Sequence, residues 1–160
     1  MLSINLICVG RMRETHYIKA FAEYEKRLKP YCKFELNELP EVRLPQEPSQ
    51  AEIEAGLSKE AFSIESHIPS GAYVIAMCIE GKQLSSNAFA ELFRKCANEG
   101  KSRICFIVGS SFGLDIFIKE RADLCLSMSV MTFPHHLARV MLAEQTYRGI
   151  MINEGSKYHK

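Results

Sequence analysis

A chain of 160 residues with 20 Lys and Arg against 19 Asp and Glu has a net charge of +1. That leaves no global field to steer it onto nucleic acid, so any such contact must come from local patches. With 47% hydrophobic and 24% charged residues, it has the composition of one globular domain over 1–160, large enough for a core without staples. No run approaches the roughly 20 apolar residues of a membrane span. The opening MLSINLICVG lacks the basic stretch of a signal peptide. The expectation is a cytoplasmic protein with no membrane partner.

The first predicted element is a strand, INLICV over 4–9, closed by Gly10. A helix follows in THYIKAFAEYEKRLKP, with Thr15 as N-cap, a stripe of Ile18, Phe21, Ala22 and Leu28, and Pro30 at the exit. KFELNEL alternates Phe34 and Leu36 with Glu35 and Asn37, the pattern of a half-buried strand. PEVRLPQEPSQ, with prolines at 40, 45 and 48, reads as a mobile loop. Ser49 and Glu52 have the spacing of a capping box, opening a helix whose Ile53, Leu57, Ala61, Ile64 and Ile68 share one face.

YVIAMCI (73–79) is apolar throughout, as a strand covered on both sides should be. A helix with Phe89, Leu92, Phe93 and Cys96 on its buried face ends at Gly100, and RICFIV (103–108) is a second covered strand. A short helix, DIFIKERA, leads to the strand LCLSMS, then to SVMTFPHHLARVMLAEQTYRG and a polar tail, NEGSKYHK. The six cysteines form no CxxC pair and no ligand cluster, and four lie inside apolar runs, so reduced core thiols are expected.

Strands alternating with helices predict an α/β fold, a largely parallel sheet with helices on both faces. Open sheets of this kind bind ligands at the carboxyl ends of their strands. Three places satisfy that rule: after Met77, at Gly109–Gly113, and at Met128–Phe133.

The glycine loop, VGSSFG, lets backbone approach a ligand closely, and it equally suits a tight strand-to-helix turn. His135 and His136 diverge by about a hundred degrees on a helix, so they cannot share a metal, and no metal site is expected. Pro134 suits the first helical position, with Ser129 or Thr132 near the cap. Along the last helix Leu137, Val140, Met141 and Tyr147 share one arc, and Glu144 and Arg148 fall within it, while His135, Arg139 and Thr146 line another. Charges among apolar neighbours imply burial against something else, with Glu144 and Arg148 pairing with each other or with a partner subunit. The tail offers Tyr158 to stack on a base, His159 to titrate near neutrality, and two lysines for phosphates.

CVG, YEKRL, IEGKQLSS, FIVGSSFGL, MTFPHHLARVMLAEQTYR and the terminal YHK, in that order, resemble the RlmH family of SPOUT-class methyltransferases, from first strand to last residue. That resemblance implies a C-terminal trefoil knot, a homodimer, and S-adenosylmethionine as methyl donor bound in bent form. It implies methylation of N3 of a pseudouridine in 23S rRNA, in the helix 69 region of the assembled 70S ribosome. By position, the donor contacts are Met77, Gly109, Met128, Ser129, Val130, Met131, Thr132 and Phe133. The catalytic candidates are Arg139 and Arg148 for stabilising charge on the base and Glu144 for orienting one of them. Tyr158 and His159 would close over the base, with His135 near the cleft. Two positions depart from the family pattern: Ser110 replaces a common second glycine, and Cys78 stands where an acidic residue is frequent. The rival readings are a SPOUT methyltransferase for another RNA, such as tRNA, and a non-catalytic nucleotide-binding module.

Overall fold

The computed structural model describes residues 1–160. Five strands, β1 (Ser3–Val9), β2 (Lys33–Leu39), β3 (Tyr73–Gln83), β4 (Arg103–Val108) and β5 (Leu124–Ser127), form one sheet in the order β2-β1-β4-β3-β5. Every pairing is parallel. The helices are α1 (Thr15–Leu28), α2 (Gln50–His67), α3 (Ser86–Asn98), α4 (Ile116–Arg121) and α5 (His135–Asn153).

The central strands are apolar on both faces because both faces are covered. Ile4, Leu6 and Cys8 of β1, Ile75 of β3, and Ile104 and Phe106 of β4 join Phe21, Phe89, Phe93 and Leu142 of α1, α3 and α5. The alternate positions, Ile7, Val9, Val74, Ala76, Cys105 and Ile107, pack with Ala61, Ile64 and Ile118 of α2 and α4. The period of two in each strand sorts side chains into the two layers. All six cysteines are free, and burial pushes the thiols of Cys8 and Cys105 up to about 12.

Helix ends follow local chemistry, with two corrections. The Ser49–Glu52 capping box is complete in both directions. The N-cap of α1 is Glu14 and not Thr15, and it makes no side-chain cap bond. Pro134 is the N-cap of α5 rather than its first residue, again with no side-chain cap bond; the Ser129 hydroxyl instead accepts from the Met131 amide. Of the expected α1 stripe, Phe21 and Leu28 are buried while Ile18 and Ala22 are exposed. The 40–48 segment has no regular structure, yet Val42 and Leu44 pack over Gly56 of α2, and the Val42 amide donates to Glu60 at 3.0 Å. It is held to α2 by these contacts rather than free of it.

β3 runs four residues past the apolar stretch. Met77 and Lys82 both pair with Leu126, so 78–81 bulge out of the ladder before the strand resumes. Gly81 permits this, since a Cβ there would lie 2.7 Å from the backbone of Cys125.

The core side of α5 is the arc of Arg139, Leu142, Ala143, Thr146, Gly149 and Ile150. Gly149 lets α3 approach, with Phe93 only 3.0 Å from where a Cβ would stand. The greasier arc, Leu137, Val140, Met141 and Tyr147, is only half-buried.

Candidate active site

The carboxyl ends of β3, β4 and β5 and the start of α5 enclose a cavity of about 670 Å³, within the range of small-molecule sites. Met77 forms one wall, Gly109–Leu114 a second, and Met128, Ser129, Met131, Thr132 and Phe133 a third, with His135 at the entry to α5. All three segments singled out by the strand-end rule therefore meet. Val130 stands outside the lining, 77% exposed.

Backbone dictates much of the shape. A Cβ on Gly109 would lie 2.3 Å from the Gly113 carbonyl oxygen, so only glycine fits there. Gly113 closes the turn with φ +83°, its amide donating to the Ser110 carbonyl at 2.9 Å. Ser110 itself has no positive φ, so serine meets no strain where a glycine is common.

The bulge at 78–81 adds lining residues that a reading of β3 as a plain strand passes over. Cys78, Ile79 and Glu80 face the cavity, as do Phe112 and Lys119. Lys119 is ion-paired with Glu80, and the hydrogen bond from Lys119, then one from the backbone, holds the Glu80 carboxyl below its ordinary range. Burial and the neighbouring Cys125 push Cys78 up to about 12, so it is a neutral thiol. Gly81 is the one sequence signal that could have located this bulge.

The two histidines part company, as their spacing requires. His135 lines the cavity, while His136 Nδ1 lies 2.9 Å from Glu14 Oε2. Burial, then the neighbouring His136 and Arg139, lowers the His135 pKa and favours its neutral form.

The remaining candidates form two separate groups. Arg139 is fully buried beneath the end of β1. Its guanidinium donates to the carbonyls of Val9 (3.0 Å) and Gly10 (2.7 Å) and to Glu38 at 2.9 Å. The same Glu38 oxygen accepts from the Met12 amide at 2.8 Å. Arg139 thus ties α5 to the β1–α1 turn and does not reach the cavity.

The second group gathers on the half-buried arc of α5. Arg148 donates twice to Glu144 Oε1, at 2.9 and 2.5 Å. The Tyr158 hydroxyl donates to the same oxygen at 3.2 Å, and His159 Nδ1 lies 3.3 Å from Arg148. The Arg148 guanidinium sits 4.8 Å from the Tyr158 ring centre. Burial first, then the Glu144 charge, pushes the Tyr158 pKa to about 12, so its hydroxyl keeps its proton at neutral pH. Gly155 creates this cluster. At φ +68° it lets the Ser156 amide reach Met151 and its own amide reach Ile152, a paired closure that turns the tail back along α5. Glu144 is nine residues beyond His135, about 14 Å along the helix, and no member of the cluster lines the cavity.

A family model described as "Predicted SPOUT methyltransferase" matches residues 2–159. The chain belongs to the SPOUT methyltransferase family. Two relatives from Streptococcus pyogenes, both named ribosomal RNA large subunit methyltransferase H, extend the likeness. The protein of serotype M5 (strain Manfredo) is 45% identical over 99% of this chain and 100% of its own length. That of serotype M12 (strain MGAS2096) is 44% identical with the same coverage. Within the SPOUT family the chain therefore groups with these RlmH proteins. A probable methylase family protein from Haemophilus influenzae Rd KW20 shares the fold with TM-score 0.53 at 14% identity, over 99% of this chain and 70% of that one.

Proposed function

We propose that the protein is a homodimeric, S-adenosylmethionine-dependent methyltransferase that methylates N3 of a pseudouridine in 23S rRNA. Its substrate is the helix 69 region within the assembled 70S ribosome, and its compartment is the cytoplasm. The observation that carries the reading is the cavity, walled by three strand-end segments of a SPOUT chain. The names of the full-length relatives support a ribosomal RNA target.

The cavity suits the donor on physical grounds. Its volume is right for a nucleoside-sized ligand, and Met77, Leu126, Met128 and Phe133 offer apolar contact for a purine. Gly109 lets main chain come close where a side chain would block. When bound, S-adenosylmethionine supplies an electrophilic methyl group on a cationic sulfur that leaves as a neutral thioether. The chain's own task is to hold donor and base in line, to help remove the N3 proton, and to favour the base anion so formed. Met77, Gly109, Met128, Ser129, Met131, Thr132 and Phe133 bind the donor in this reading, and Val130, outside the lining, belongs to the same turn without facing the cavity. His135, neutral at the cavity edge, contacts substrate as a hydrogen-bonding group.

Arg148 is the cation for the developing charge, oriented by Glu144, while Tyr158 and His159 close over the base. These groups stand apart from the cavity of their own chain, so a partner protomer's tail completes each site. The half-exposed arc of α5 is the face that meets the partner, and exposed Val130 and Met131 (77% and 69%) beside the cavity suit the same contact. Arg139 serves by fixing the start of α5 against β1. Membership of the SPOUT family favours the trefoil knot.

Mass spectrometry of ribosomal RNA from a strain lacking the gene tests the reading. Loss of one methyl group from one large-subunit pseudouridine, restored by the gene, is expected. Unchanged ribosomal RNA overturns it, and a methyl group lost from tRNA would give the target to that RNA instead.

A further inference from the structure

Glu60 is a buried carboxylate without a cation. It sits on α2 with 6% exposure, and the charge that acts on it, Glu41, has the same sign. Val42, Leu44, Ile53, Leu57 and Phe112 crowd around it. A carboxylate in such a place destabilises a fold unless its oxygens are used. Both are: Oε2 accepts from the Val42 amide at 3.0 Å, and Oε1 accepts from the Ser110 hydroxyl at 3.3 Å.

Ser110 is itself 7% exposed, follows Gly109, and lines the cavity. Its carbonyl receives the Gly113 amide that closes the glycine turn. Glu60, which does not line the cavity, therefore grips the glycine turn from behind. It is carried by a helix anchored through Ala61 and Ile64, which pack on the sheet. A loop bearing Gly109 and Gly113 has much conformational freedom to lose, and such an anchor restricts it before ligand arrives.

We propose that Glu60 is a positioning residue for donor binding: through Ser110 it holds the glycine turn in the form that receives the methyl donor, and through Val42 it joins that turn to the segment after β2. The inference rests on the reading of the cavity as the donor site. It predicts a contribution to affinity from a residue that touches no ligand.

Calorimetric titration of the full-length protein with S-adenosylmethionine and with S-adenosylhomocysteine, well below the unfolding temperature, tests it. Glu60→Ala and Ser110→Ala should each weaken both compounds about 5- to 10-fold, the scale of one hydrogen bond. The double variant should bind no more weakly than the worse single one, because the two act through one contact. Glu60→Gln, which can serve both partners with its amide, should stay within about twofold of wild type. In turnover the donor KM should rise with kcat held. Variants that lose Tm but keep wild-type affinity overturn the proposal, as does additive weakening in the double variant. Should Glu60→Ala fail to fold, Ser110→Ala decides by the same readout. If wild type binds neither compound, the donor reading has failed; if wild type binds and both single variants match it, only the role of Glu60 has failed.

Discussion

Arg139 shows how far one side chain can serve the frame of a site. Its charge is fully buried and is shared among Glu38 and the carbonyls of Val9 and Gly10 at the end of β1. Arg139→Met should cost about 3 kcal/mol in urea unfolding, because Glu38 loses its cation and both carbonyls lose the guanidinium donor. Glu60 behaves in the opposite sense. Burial raises its pKa, so the folded state prefers the protonated form, and ionisation at neutral pH opposes folding. Glu60→Gln should therefore raise Tm at pH 7, with the gain shrinking as pH falls through the carboxylate range. A gain that persists unchanged at acid pH would refute this assignment. At Gly109, alanine should cost about 1–3 kcal/mol and abolish donor binding, since the Gly113 carbonyl leaves no space for a methyl group. Thermal unfolding beside a donor titration measures both effects.

At the scale of elements, the two arcs of α5 divide its work. Counting around the wheel puts Leu137, Val140, Met141 and Tyr147 together, and the ordinary expectation is that the most apolar arc faces the core. Here the core takes the arc with Arg139 and Thr146 instead: both terminal nitrogens of Arg139 find acceptors inside while its Nε has none, and Thr146 donates to the Leu142 carbonyl at 2.7 Å. Periodicity locates an arc but not what lies opposite it, because that depends on where α1 and α3 dock. The tail follows from a single element end. Gly155→Ala should cost about 1 kcal/mol through its positive φ, loosen Tyr158 from Glu144, and lower turnover without changing donor affinity. Parallel activity and calorimetric measurements would expose a fall in both, which would refute the separation of tail and cavity.

For the whole molecule, that separation is the main consequence of the fold. Removing residues 158–160 should leave donor binding intact and abolish methyl transfer, checked by calorimetry beside a methylation assay; a fully active truncation would end the two-subunit account. Arg148→Ala should weaken both dimerisation and activity, and an active dimer in sedimentation would do the same damage. Much was legible beforehand. Covered strands declare themselves by unbroken apolar runs, glycines mark close approaches and helix ends, and the strand-end rule selected the three segments that form the cavity, because each of these signals is local. What the linear chain left open is non-local. The bulge of β3, the grip of Glu60 on Ser110, the burial of Arg139 under β1 and the return of the tail onto α5 join residues from 11 to 130 positions apart. Hydrogen bonds across such separations depend on how layers pack, and only the assembled tertiary structure decides that.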